Sequence, residues 1–333
     1  MKIPEITIII PIYNVEKHIE RCLKSVLDQN FESIEYILID DCGNDNSIAK
    51  AKILISNHPN KNKVIFLKHP ENMGVAESRN TGILNSKGKY ILHCDSDDYL
   101  EPEIVAKMYK MAIECNADII ITDYYDELPS KSIYRKQNIG KSSQVSSHCF
   151  INQLLTYKLA PAVWNKLIRS SLYKKNNVFH PNGIVEDVCS IVMLAYFAKG
   201  IYKLNLPSVH YVQHPQSASS NPQKAFELLS AYKILADFFI IQDAFSIFKN
   251  NLSIFQLKQE YSFLSRTLQN LDFQNKHILC RSLNFKHLLN GNLTFKQKLI
   301  LYLYIIKPNI SNRVLRDWNA IAKHLSKIRT LYF

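Results

Sequence analysis

The chain has 333 residues, enough for one large domain or two modest ones. With 47% hydrophobic and 21% charged residues it has the composition of a folded protein, which excludes wholesale disorder. Residues 1–130 carry 14 basic and 21 acidic side chains (net −7) and residues 131–333 carry 27 and 8 (net +19), so the overall +12 is very unevenly spread. One acidic and one strongly basic half imply two tasks, the second directed at a polyanion, a phosphate or an anionic surface.

The seven cysteines form no CxxC pair, and their odd count fits free thiols in a reducing, cytoplasmic setting. The N-terminal run Ile6 to Tyr13 is too short and too close to Glu5 for a signal peptide. No stretch of about 18 apolar residues exists to span a membrane. Glycine is scarce, with 8 residues, and neither GxGxxG nor GxxxxGK[ST] occurs, which argues against a dinucleotide fold and a P-loop.

In chain order, Glu5–Pro11 reads as a buried, β-branched strand of the parallel kind. Asn14 is placed to cap a helix that gathers Ile19, Leu23, Val26 and Leu27 on one face. Strands follow at Tyr36–Ile39, Val64–Leu67, Tyr90–His93 and Asp118–Thr122, alternating with helices at Ser47–Ser56, Val75–Leu84 (interrupted by Gly82) and Glu103–Cys115. Such βα repetition predicts a doubly wound, largely parallel sheet. Asp126–Ser147 reads as a polar surface excursion. Helices at Cys149–Tyr157, Ser171–Lys175 and Asp187–Ala198 precede short strands at Ile201–Leu204 and Val209–Val212. From Gln223 the pattern is helical, with breaks at Asn250-Asn251, Asn290–Asn292 and Pro308.

Ligands of open α/β sheets bind beyond the carboxyl ends of the strands. Here those ends carry Pro11-Ile12-Tyr13-Asn14, Asp40-Asp41, His69-Pro70-Glu71-Asn72 and Asp95-Ser96-Asp97-Asp98. Clustered carboxylates repel one another, so bringing them to one sheet edge calls for a cation, and hard oxygen ligands select Mg²⁺ or Mn²⁺. Between Glu127 and Glu227 the only carboxylates are Glu186 and Asp187, an acidic pair isolated among lysines and arginines. On their own they are either favourable first-turn charges of a helix or a catalytic pair.

Four segments in order, Ile8–Asn14, Ile39–Ser47, Glu71–Gly82 and Asp95–Asp98, resemble the family-2 glycosyltransferases of GT-A fold, the nucleotide-sugar enzymes of bacterial surface glycan assembly. The resemblance spans roughly residues 4–220. It implies a Rossmann-like, mostly parallel central sheet flanked by helices, forming a GT-A domain over 1–222. Within it, 1–125 would be the nucleotide-sugar half and 126–222 the acceptor half, and a basic helical region, 223–333, would follow. Pro11, Tyr13 and Asp41 would line the nucleobase pocket, with Asp41 accepting from the base imide, and Asn14 and Asp40 would also contact the nucleotide sugar. Arg79 would sit by the nucleotide, and Asp95-Ser96-Asp97 would be the DXD motif. Asp97 and Asp98 compete as metal ligand, for Mn²⁺ or Mg²⁺.

The context Phe179–Val188 resembles the segment that delivers the family's acceptor-side acidic pair, which implies Asp187 as the general base, with Glu186 orienting it or holding acceptor hydroxyls. Trp164 is either a sugar-stacking ring or a core residue, and Lys166 either meets a phosphate or lies on the surface. His210 and His214 stand where many such enzymes place a metal or diphosphate ligand. Cys42-Gly43 departs from the usual Gly-Ser, and the QxxRW signature of processive synthases is absent, which implies addition of a single sugar. The implied donor is a UDP-sugar and the implied acceptor a glycan or lipid-linked oligosaccharide. The pattern leaves a homodimer open.

Residues 224–333 carry 16 basic and 6 acidic side chains, and Leu299–Ile306 lies between Lys296, Lys298 and Lys307. Such a segment suits either an anionic membrane surface, as a peripheral contact, or a buried helix with solvated flanks. Two other readings compete. A sugar nucleotidyltransferase should show a glycine-rich phosphate loop after the first strand, and Pro-Ile-Tyr-Asn-Val is not one. A non-enzymatic nucleic-acid or anionic-surface binder draws only on the positive charge, and with an acidic first half and no recognition motif, nucleic acid is not the expected partner.

Overall fold

The computed structural model describes residues 3–140, 142–183, 186–214 and 230–267. Leu299–Ile306 and the breaks read at Asn290–Asn292 and Pro308 lie outside these residues.

Elements follow in the order β1 (Ile6–Ile12), α1 (Ile19–Leu27), β2 (Ile34–Asp40), α2 (Ser47–Ser56), β3 (Val64–Lys68), α3 (Val75–Asn85), β4 (Tyr90–His93), β5 (Tyr99–Leu100) and α4 (Ile104–Glu114). The chain continues through β6 (Ile119–Leu128), β7 (Lys131–Arg135), β8 (Gln144–Val145), α5 (Ser147–Leu155), β9 (Lys166–Arg169), α6 (Ser170–Asn176), α7 (Glu186–Phe197), β10 (Ile201–Val212), α8 (Ser230–Ile241) and α9 (Phe245–Thr267). The strands form one sheet in the order β3-β2-β1-β4-β9-β6-β10-β5, with β7 on β6 and β8 on β10. β3, β2, β1 and β4 pair in parallel, as do β6 and β10. Between these two parallel groups β9 runs antiparallel to both β4 and β6.

All seven residues of β1 are buried, because helices cover both faces of the sheet. Alternation along the strand sends Ile6, Ile8, Ile10 and Ile12 into a core built with α1, α2 and α4. Ile9 points the other way, to Ile83 of α3 and to the side chains of α5, α7, α8 and α9. This three-layer arrangement is the α/β class expected from the alternating pattern. Helix α1 buries Ile19, Cys22, Leu23, Val26 and Leu27 on one face, each large aliphatic contributing about 1.5–3 kcal/mol.

Several local expectations change. Asn14 does not cap α1; it adopts a left-handed backbone (φ 52°), and its Oδ1 accepts the Asn44 N–H at 2.8 Å. Gly82 does not interrupt α3, which runs through to Asn85. Part of the 126–147 excursion is sheet, since β6 extends to Leu128 and turns back into β7. The two short strands after residue 200 are one strand, β10, with irregular register between Leu204 and Val209. The expected break at Asn250-Asn251 is absent because α9 passes through it, and Asn251 Nδ2 is satisfied at 2.6 Å by Asn152 Oδ1 of α5. Ala231, Leu235 and Phe239 of α8 and Phe248, Leu252 and Phe255 of α9 join the core cluster of α5 and α7. Residues 230–257 are thus packed on the α/β core rather than set apart from it. No helix among the described residues is long and apolar enough to cross a membrane.

Candidate active site

Buried Arg79 of α3 joins the carboxyl end of β4 to the first turn of α7. Its Nη2 donates to Asp95 Oδ1 at 2.7 Å, and its Nη1 donates to Glu186 Oε1 at 3.0 Å and to Asp187 Oδ1 at 2.6 Å. Arg79 is 3% exposed at its side chain whereas Asp95 is 24% and Asp187 19% exposed, so the cation lies behind carboxylates that face the cleft. Arg79 was expected beside the nucleotide; here it fastens Asp95 to the acidic pair of α7. Burial disfavours its charge, but the carboxylates of Asp187, Asp95 and Glu186 outweigh that and hold it protonated.

The acidic pair opens α7, where the helix dipole favours negative charge. Burial and the charge of Asp187 push Glu186 up to about 7, against the pull of Arg79. Asp187 is raised as well, by burial first, with Arg79 opposing. Its Oδ2 accepts the backbone N–H of Val163 at 3.3 Å, a contact with no sequence signal, since any residue but proline supplies that donor. Among the described residues, Glu186 Oε2 is buried without a hydrogen-bond partner. His180 lies beneath the pair: its Nδ1 is 3.0 Å from Ser190 Oγ and 3.9 Å from Asp187 Oδ1. Burial, helped by His93 and Arg79, keeps that ring neutral.

The three aspartates after β4 take three directions. Asp95 meets Arg79, Asp97 Oδ2 lies 2.8 Å from His214 Nε2, and fully buried Asp98 accepts the Val212 N–H of β10 at 2.8 Å. Asp97 is raised by burial and by the neighbouring Asp95 charge, and Asp98 is raised further. Ser96 is buried beside them. His18, on which sequence reasoning was silent, stacks on the His214 ring with centroids 4.9 Å apart. His210 sits elsewhere. Its Nε2 is 2.6 Å from Glu101 and its Nδ1 2.7 Å from Glu127, so both ring nitrogens are taken.

Asp97 and His214 are the side chains here that could hold a divalent cation, the carboxylate suiting a hard ion and the imidazole a borderline one, and like charges nearby would be relieved by it. Among the described residues no group of three or more His, Cys, Asp and Glu side chains stands at ligating geometry.

At the carboxyl ends of β1 and β2, Pro11 is buried and Tyr13 is 43% exposed. Asp40 Oδ1 accepts the Cys42 N–H at 3.0 Å. Asp41 is buried and braces the loop before α3, with its carboxylate 2.7 Å from His69 Nδ1 and accepting the N–H groups of Met73 and Gly74 at 2.9 Å each. Trp164 and Lys166 each had two readings in the sequence. Trp164 is a buried core residue stacked on Tyr211 (centroids 5.3 Å apart) and at right angles to Tyr124. Lys166 is neither on the surface nor at a phosphate, because it is fully buried and bound to backbone carbonyls.

Comparison with known proteins defines the class. Residues 7–181 match Glycosyl transferase family 2, and the chain belongs to that family. Among individual relatives it is 31% identical over 181 residues to the poly(ribitol-phosphate) β-N-acetylglucosaminyltransferase TarP of Staphylococcus aureus, covering 52% of this chain and 51% of TarP. It is 28% identical over 179 residues to glycosyltransferase GlyA of Streptococcus pneumoniae, covering 51% of this chain but 25% of GlyA. The chain thus spans about half or less of these relatives' length. Residues 1–349 of S. aureus TarS superpose with a TM-score of 0.67 at 16% identity, covering 96% of this chain and 92% of that one, which establishes the GT-A fold. The same TarS fragment has also been solved with UDP-GlcNAc (TM-score 0.60, 18% identity).

Proposed function

We propose that this chain is an inverting glycosyltransferase that moves a single sugar from a UDP-sugar to a hydroxyl of a glycan or lipid-linked acceptor. The observation that carries the reading is the Arg79 fork, which holds Asp95 of the DXD motif and the Glu186–Asp187 pair within 3.0 Å of one guanidinium. Donor-side and acceptor-side groups thereby share one cleft. The UDP-GlcNAc complex of TarS supports the choice of donor.

Tyr13, Pro11, Asn14, Asp40 and Asp41 line the base pocket, with Tyr13 offering an exposed ring. Asp95 and Ser96 face the ribose and diphosphate. Asp97, with His214, would hold Mn²⁺ or Mg²⁺, which supplies positive charge against the leaving diphosphate. Asp98, accepting the Val212 N–H, braces this turn. Asp187 takes the proton from the acceptor hydroxyl as its oxygen attacks the anomeric carbon from the side opposite the nucleotide. Its raised affinity for protons suits a base working near neutrality. Glu186 and Arg79 hold Asp187 in place.

Hydrolysis of UDP-, GDP- and dTDP-sugars, with and without Mn²⁺, tests the reading. UDP-sugars should be cleaved and excess chelator should stop the reaction. Asp97→Ala should weaken metal-dependent UDP binding, whereas Asp187→Ala should spare binding and lose about 10²–10⁴-fold in turnover. Full activity in chelator, or in Asp187→Ala, would sink the mechanism.

A further inference from the structure

Lys166 is the first residue of β9, and its side chain is fully buried. Its Nζ donates to Ala160 O at 3.0 Å, Ala162 O at 2.6 Å and Asn165 Oδ1 at 2.7 Å. An ammonium has three protons, and here each has an oxygen acceptor. None remains for a phosphate, and no path leads from Nζ to solvent. Burying a lysine without a carboxylate contact is costly, and a methionine would fill the same volume more cheaply. What the lysine provides in return is geometry.

The carbonyls it gathers belong to the turn just before Val163. That turn closes with the Lys166 N–H on Val163 O at 3.1 Å. It is fixed to β6 through Asn165, whose Nδ2 donates to Thr122 O at 2.9 Å and whose carbonyl accepts the Thr122 N–H at 3.1 Å. Val163, itself buried, presents its N–H to Asp187 Oδ2 at 3.3 Å.

We propose that Lys166 is a positioning residue for Asp187: its ammonium pins the 160–162 carbonyls, and through that turn sets the Val163 amide against the carboxylate. The proposal rests on the reading of Asp187 as general base. The other groups facing Asp187 are Arg79 on α3, Asp95 after β4, Glu186 beside it on α7, His180 before α7 and Tyr173 on α6. Lys166 adds a cation from the β9 side, and the two charges favour one another across the turn. Burial brings the lysine itself down to about 7.

The test uses the full chain and the nucleotide sugar that the donor screen finds cleaved fastest, beginning with UDP-N-acetylglucosamine. Lys166→Met should lower kcat about tenfold or more, leave the donor KM within about twofold, and move the acidic limb of the kcat/KM profile to higher pH. The direction follows from removing a cation and loosening an N–H donor, since both losses favour protonated Asp187. Lys166→Gln, which keeps amide donors but no charge, should recover part of kcat while the limb stays displaced. It also serves alone if Lys166→Met does not fold. A several-fold rise in donor KM with an unmoved limb would overturn the proposal in favour of a diphosphate contact, and so would a wild-type profile in both variants. Asp187→Asn separates the two layers. If it still turns over, the base assignment fails; if it is inactive while both Lys166 variants behave as wild type, only the positioning role fails.

Discussion

Arg79 is the residue on which the cleft turns. Its fork reaches Asp95, Glu186 and Asp187 at once, and a planar guanidinium is the one side chain that can donate in those directions from a fixed point. Arg79→Met leaves three carboxylates facing one another without their cation. It should cost about 3 kcal/mol of stability, read as a drop in urea midpoint, and should abolish sugar transfer. Arg79→Lys should restore part of the stability but little activity, because one ammonium cannot span the three oxygens. Equal activity in Arg79→Lys and wild type would show that charge, not the fork, is what matters. The sequence marked this residue but not its work. The carboxylates were legible because several at neighbouring strand ends repel unless a ligand or cation explains them. The partners of Arg79 lie 16, 107 and 108 positions away, and only the fold brings them together.

Among the elements, α3 and β9 show what pattern reading catches and what it misses. The alternating units through β6 were readable because strands buried on both faces are apolar and β-branched, while helices between them keep a polar face. β9 was missed. It is four residues long, starts with a lysine and ends with an arginine, and becomes sheet only because β4 and β6 flank it. Lys166 was therefore assigned to the wrong surroundings, whereas the core was one of the two places open to Trp164. Gly82 looked like an interruption because glycine weakens helices. In α3 it is instead the point of closest approach to the sheet, since a Cβ there would lie 2.5 Å from Ile9 Cγ2 and 3.1 Å from Ile9 Cδ1. Gly82→Ala should destabilise by roughly 1–3 kcal/mol despite the better helix propensity of alanine, and should also lower activity, because Arg79 sits one turn away on the same helix. Urea denaturation of this variant measures the balance; a more stable protein would mean that α3 can back away from β1 at no cost.

For the molecule as a whole, charge that looked like a split between two halves becomes a matter of where protons bind. The cleft concentrates acids that folding makes harder to ionise: Glu186, Asp187, Asp97 and Asp98 all have raised affinities for protons. Buried His93 and His180 and buried Lys166 shift the opposite way, so the full pH profile of stability is a sum of opposing contributions. A single substitution isolates one of them. Glu186 moves from 4.5 when unfolded to about 7 when folded, so between those values the folded state holds a proton that the unfolded state releases. The contribution of this group to stability is fully present below pH 4.5 and is lost as pH rises through about 7. Glu186→Gln removes the titration while keeping a hydrogen-bonding group of the same size. Its stability relative to wild type should therefore improve from pH 5 to about pH 7, most steeply between the unfolded and folded values, and level off above that. Thermal unfolding of both proteins across that range, in chelator so that no cation binds the cleft, gives the difference directly. A gap that does not change with pH would mean that Glu186 is already ionised on Arg79 at pH 5, and that Asp187 works beside a full negative charge rather than a shared proton.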